Sequence, residues 1–163
     1  MVTYINFCGQ GNSGKTTTID MVVKRLEKHP NAKTIEVKKC RKDSTDYRAL
    51  LEITISKITY KIALSTYGDN LHELELNHKF FDDNSPDVMV TASHCHDDYE
   101  HNLFIDNYVN CRIDASNTYK SEREHFDYIK VHSKKIEGTK QEINNKNTKY
   151  AEKLYDLILA SLK

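Results

Sequence analysis

The chain has 163 residues, 38% of them hydrophobic, enough for the core of one domain and short for two. Lys plus Arg and Asp plus Glu both number 24, so composition indicates neither a basic nucleic-acid surface nor a disordered acidic tail. No apolar run approaches the roughly 18 residues of a membrane-spanning helix, and Cys8, Cys40, Cys95 and Cys111 are widely spaced without a Cys-x-x-Cys, so a single cytoplasmic domain over residues 1–163 with reduced thiols is expected.

Val2–Cys8 is a short β-branched and aromatic run stopped by glycine, which reads as a buried strand. A glycine loop follows at once. Ile19, Val22, Val23 and Leu26 then fall at i, i+3, i+4 and i+7, predicting an amphipathic helix from about Gly14 that stops before Pro30. Residues 33–38 alternate weakly as a second strand, and 40–47 read as a charged surface loop. Residues 51–55 alternate cleanly, and 58–66 form another β-rich run after Ser56-Lys57, predicting an antiparallel pair. Leu71, Leu74, His78 and Phe81 mark one face of the next helix, with Asn70 and Glu73 spaced as a reciprocal cap. Beyond Pro86, residues 87–92 have the apolar character of a central parallel strand. Residues 97–109 carry a patchy helical pattern, and the polar stretch 110–125 predicts an irregular excursion or lid. A last strand is placed at 126–131 and a polar connection at 138–147, before a closing helix marked by Ala151, Leu154, Ile158 and Leu162.

This alternation predicts a three-layer α/β fold, with a mostly parallel sheet, one antiparallel strand, and helices on both faces. Right-handed crossovers bring the strand-to-helix loops to one sheet edge. There Gly9 to Lys15, Thr66 to Asn70 and Ser93 to His96 should converge, with the strand ending in Tyr67-Gly68-Asp69 expected beside the first strand.

Gly9-Gln10-Gly11-Asn12-Ser13-Gly14-Lys15-Thr16 satisfies Gly-x-x-x-x-Gly-Lys-[Ser/Thr], with a strand before it and a helix after it. Such a loop can turn backbone N–H groups toward phosphate oxygens, and the following helix adds its positive end. Gly9, Gly11, Asn12, Ser13, Gly14, Lys15, Thr16 and Thr17 are therefore the candidate nucleotide-binding residues. Lys15 is assigned to the β- and γ-phosphates and also to catalysis, Thr16 to Mg²⁺, and Thr17 to the α-phosphate. Three of the chain's five glycines lie in this loop, where backbone must approach an anion closely.

On this motif the sequence resembles the P-loop NTPase superfamily, closely over residues 2–28 and by segment order beyond them. The order is similar to that of small Ras-like GTPases, whose switches correspond to the 40–47 and 66–70 segments. Two family motifs are replaced: Ser65-Thr66-Tyr67-Gly68 stands for Asp-x-x-Gly, and Thr91-Ala92-Ser93-His94 for Asn-Lys-x-Asp. The resemblance thus implies ATP rather than GTP, with Mg²⁺. It leaves the metal-shell acid to Asp69, or less favourably Asp46, with Ser65 a weak holder of metal-bound water. Asp69 is the candidate catalytic and metal-shell carboxylate, against the plainer reading that it supports the next helix's N-terminus.

His94, Cys95, His96, His101 and Cys111 match no common zinc spacing; His94 is also a candidate for sensing the γ-phosphate. Three functions follow. The first is an ATPase that signals occupancy to a partner protein through the 40–47 and 66–70 loops. The second is a nucleoside or nucleotide kinase with Arg112, Lys120 and Arg123 in a basic lid. The third is a non-catalytic ATP-binding interaction module.

Overall fold

A computed structural model describes residues 2–94, 100, 103–105 and 126–162. Its elements in chain order are β1 (Val2–Cys8), α1 (Lys15–Glu27), β2 (Ala32–Lys39), β3 (Tyr47–Ile55), β4 (Ile58–Ser65), α2 (Leu71–Asn84), β5 (Val88–Ser93), β6 (Phe126–His132) and α3 (Lys140–Ala160). The strands form one sheet in the order β2-β3-β4-β5-β1-β6.

β4, β5, β1 and β6 pair in parallel, whereas β3 is antiparallel to both its neighbours, so β2 regains the direction of the other four. The fold is therefore α/β with a mostly parallel mixed sheet, as the strand and helix patterns predict. The β3–β4 hairpin turns on Ser56 and Lys57, whose φ values of 51° and 70° supply the left-handed pair that a two-residue hairpin requires without any glycine.

Successive strand residues face opposite ways, and two apolar cores result. Ile5, Phe7, Leu51, Ile53, Ile62, Leu64, Val88 and Val90 meet Ile19, Val22 and Leu26 of α1 and Ala151, Leu154 and Ile158 of α3. Tyr4, Leu50, Ala63 and Met89 meet Leu74, Phe80 and Phe81 of α2, together with Ile105. Helices thus cover both faces. The predicted faces of α1 and α3 are buried; on α2, Leu74, His78 and Phe81 are buried while Leu71 is exposed at the first turn.

Three expectations change. β4 does not run beside β1, because β5 lies between them and pairs with both. The Asn70–Glu73 cap is only half made: Asn70 accepts from the Glu73 N–H at 2.9 Å, but the Glu73 carboxylate turns inward to Arg48 at 2.8 Å. A buried guanidinium in a low-dielectric interior is the stronger competitor for that carboxylate. Residues 140–147, expected as a connection, are the first turns of α3, opened by a capping box between Thr139 and Glu142. The expected 97–109 and 110–125 segments lie outside the described residues except for 100 and 103–105.

Among the described residues no helix is long and apolar enough to cross a membrane.

Candidate functional site

All parallel strands end at one edge of the sheet, so the loops after β1, β4, β5 and β6 assemble there. β1 is flanked by β5 and β6, and its exit is tied to both: Gly9 N–H donates to the Ser93 carbonyl at 3.1 Å, and Ser133 N–H to the Cys8 carbonyl at 2.7 Å. The chain then curls through Asn12 at φ 58° and Gly14 at φ 87° before entering α1. Gly14 is the N-cap of that helix and offers no side-chain cap, and the first turn has no acidic residue. The helix therefore presents unneutralised positive dipole at the loop.

Lys15 is 6% exposed, and its Nζ donates to the Gly9 carbonyl at 3.0 Å and the Gln10 carbonyl at 2.9 Å. The same ammonium stands 3.8 Å from Asp69 Oδ1. Asn12, Ser13, Gly14, Lys15, Thr16, Thr17 and Asp69 line a cleft of about 310 Å³. The sequence-assigned loop residues Asn12 to Thr17 and the proposed carboxylate thus share one concavity, although the strand preceding Asp69 is not the neighbour of β1. Asp69 also lies 3.2 Å from His94 Nε2, at the exit of β5. Asn70 caps α2, which leaves the Asp69 carboxylate to Lys15 and His94.

Thr16 Oγ1 donates to the Thr66 carbonyl at 3.1 Å, and Thr66 Oγ1 donates in turn to Asp46 Oδ1 at 3.2 Å. Asp46 lines a different cleft, of about 440 Å³, with Arg41, Lys42, Asp43, Ser44 and Tyr67. Among the described residues it reaches Thr16 through Thr66. Ser65 does not face the glycine loop: it is fully buried, and its hydroxyl bonds Asn77 Oδ1 at 2.8 Å and the Tyr67 carbonyl at 2.9 Å. That hydroxyl belongs to an internal network in which Asn77 also accepts from Arg48 Nε at 2.7 Å and donates to the Tyr67 carbonyl at 2.7 Å and to Thr91 at 3.0 Å. The network fixes the start of the loop carrying Asp69. Gly68 within it has no room for a side chain, since an added Cβ would stand 1.8 Å from the Ala92 carbonyl oxygen.

The loop 40–46 is held to the same region. Arg41 lies over the Tyr67 ring at 5.0 Å, donates to its hydroxyl at 2.9 Å, and approaches Glu73 at 3.6 Å. Burial raises the Cys40 thiol above its ordinary pKa, the largest influence, and Glu73 and Asp46 add to the rise. Tyr47 is likewise raised, by burial first and by its hydrogen bond to Asp20 second.

Three residues at the site escape sequence reading. Ser133 Oγ donates to the Ser13 carbonyl at 2.9 Å, Lys146 Nζ donates to the same oxygen at 2.6 Å, and Asn147 packs against Gly14. The Thr139-x-x-Glu142 capping signature is the sequence signal that would have started α3 early enough to include the last two. Cys95, His96, His101, Cys111, Arg112, Lys120 and Arg123 fall outside the described residues.

The donor set suits an anion: helix N-terminal amides, a buried lysine, and, among the described residues, no carboxylate closer than Asp69 at the mouth. A hydroxyl from Thr16 and the Asp69 carboxylate are oxygen donors of the type a divalent cation takes. No family model, curated protein or solved structure matches the chain.

Proposed function

We propose that the chain is a P-loop NTPase that binds ATP with Mg²⁺ in the 9–17 loop and hydrolyses it, signalling occupancy to a partner protein in the cytoplasm. The observation carrying this reading is the shared cleft of Asn12 to Thr17 and Asp69, with the buried Lys15 ammonium beside the carboxylate. Lys15 and the amides at the head of α1 neutralise the β- and γ-phosphates, and this matters most as charge moves onto the leaving diphosphate. Mg²⁺, when bound, neutralises phosphate charge and holds the phosphate tail in one geometry. Asp69, beside the Lys15 ammonium, would hold the metal together with Thr16, or would orient the O–H of the attacking water. The switch component draws support from the path Thr16–Thr66–Asp46, by which a change at Thr16 reaches the 40–46 loop through two hydrogen bonds.

A second reading, phosphoryl transfer to a small hydroxyl compound, is favoured by the cleft lined by Arg41, Lys42, Asp43, Ser44, Asp46 and Tyr67. It shares the 66–69 segment with the phosphate cleft and combines cations for an anionic acceptor with carboxylates for its hydroxyls.

The deciding assay combines equilibrium binding of a fluorescent ATP analogue with phosphate release. Wild-type protein binds with Mg²⁺ present, and Lys15→Ala weakens binding about tenfold or more, as loss of a charge-assisted contact requires. Phosphate freed into water, faster with a co-purifying partner, supports the switch. Label transferred to a small-molecule pool supports the kinase, and binding without turnover leaves the non-catalytic module. Equal binding by wild type and Lys15→Ala rejects the assignment.

A further inference from the structure

The Ser13 carbonyl receives two hydrogen bonds from outside the phosphate loop. Lys146 Nζ donates at 2.6 Å and Ser133 Oγ at 2.9 Å, while Lys146 also spans to the Lys134 carbonyl at 2.8 Å. A trans peptide directs its C=O and the following N–H in opposite directions, and no cis peptide bond occurs among the described residues. Anchoring the Ser13 oxygen against β6 and α3 therefore turns the Gly14 N–H away from them, on the side of the cleft lined by Ser13, Gly14 and Lys15. That N–H makes no hydrogen bond among the described residues. Asn147 closes the same junction: it is 4% exposed, and its amide fills the space where a Gly14 side chain would stand.

We propose that Lys146 is a positioning residue of the phosphate cradle, holding the Ser13–Gly14 peptide so that the Gly14 N–H is presented to a bound phosphate oxygen. The inference rests on the nucleotide reading of the loop and adds to it a cation that never touches the anion. A loop of three glycines has many accessible peptide orientations, and an anion site gains affinity when the donors are fixed before binding. Lys146 supplies this through an ammonium-to-carbonyl bond, which is stronger than a neutral one and also polarises the amide it orients. Lys15 fixes the Gly9 and Gln10 carbonyls in the same manner at the other end of the loop. The two lysines thus hold opposite ends of one cradle, one from within it and one from the last helix.

The test uses the full chain and four variants: Lys146→Met, Lys146→Arg, Lys149→Met and Lys15→Ala. Affinity for MgATP is measured by calorimetry, and the Gly14 amide is followed by ¹H–¹⁵N correlation spectroscopy in the free protein. Lys146→Met should bind about tenfold more weakly, the scale of one charged hydrogen bond, and should shift the Gly14 cross-peak. Lys146→Arg should restore affinity to within about threefold and return the cross-peak, because guanidinium can make both carbonyl contacts. Lys149→Met, an exposed position on the same helix, should match wild type, separating the contact from net charge. If Lys146→Met proves poorly folded, Ser133→Ala removes the second donor to the same oxygen and should cost about threefold with a smaller shift of the Gly14 cross-peak. Wild-type affinity together with an unmoved Gly14 signal in Lys146→Met, while Lys15→Ala loses binding, overturns the proposal and leaves the cradle reading intact. Weakened binding with an unmoved Gly14 signal overturns it too. Absence of MgATP binding by the wild type removes both.

Discussion

Replacing Gly14 by alanine perturbs the junction between the glycine loop and α3 in two separable ways. The residue sits at φ 87°, a conformation that costs an L-residue with a Cβ roughly 1–2 kcal/mol. The new methyl would also stand 2.4 Å from Asn147 Oδ1 and 2.9 Å from Nδ2, forcing a buried amide to move. Overpacking of that kind costs typically 1–3 kcal/mol, giving about 2–5 kcal/mol for Gly14→Ala. Asn147→Ala alone should cost about 1 kcal/mol or less, because its buried Oδ1 has no hydrogen-bond partner among the described residues to lose. In the double variant the clash is gone and only the backbone strain remains, so the two effects should couple by about 1–3 kcal/mol. Urea unfolding of the four proteins, with midpoints multiplied by a common slope, reads the cycle. Additive effects, or a Gly14→Ala variant as stable as wild type, would refute the packing of α3 against the loop.

Other outcomes follow from the same geometry. Gly68→Ala places its methyl on the Ala92 backbone carbonyl, which cannot rotate aside within β5, and should lower stability by about 3 kcal/mol or more in thermal unfolding. Glu73→Ala strips the carboxylate from the buried Arg48 and should cost about 3–5 kcal/mol, read by urea denaturation, with Glu73→Gln less damaging. Tyr47→Phe loses the hydrogen bond to Asp20, about 1 kcal/mol at pH 8. The folded Tyr47 phenol holds its proton more tightly than the unfolded one, whose ordinary pKa is 10.0, so its contribution is full below pH 10 and declines above it. The gap between wild type and Tyr47→Phe should therefore narrow between pH 10 and 11 in a series of urea melts; a constant gap contradicts the burial of that phenol.

Much of the fold is legible because its signals are local. The alternation in β3, the i, i+3, i+4 spacing of Ile19, Val22, Val23 and Leu26, and the Asn70 cap each involve neighbours along the chain. The strand order is different. β5 enters between β4 and β1 through pairings that connect Ile62 with Val88 and Val88 with Thr3, residues distant in sequence. No pattern within one strand distinguishes two apolar neighbours of similar character, so the sequence pattern sets β4 beside β1 whereas the sheet places β5 between them. The loops converge all the same because parallel strands deliver their following loops to one edge, and Asp69 reaches Lys15 from one strand further away.

Side-chain commitments were also decided in three dimensions. Glu73 has the sequence position of a capping-box partner, yet Arg48 from β3 claims its carboxylate. Ser65 stands where the resemblance to small Ras-like GTPases calls for an acid, yet Asn77 and the Tyr67 carbonyl take its hydroxyl. Lys146 and Asn147 lie among polar, mostly exposed residues with no apolar period, so nothing local marks them as neighbours of the glycine loop. By itself the sequence determined the glycine loop, its lysine and threonine, and the strand and helix on either side, since eight consecutive residues carry that geometry. Tertiary structure alone decided which distant groups hold the loop in shape, because the Ser13 carbonyl meets Ser133 and Lys146 only after β6 and α3 have packed against β1 and α1.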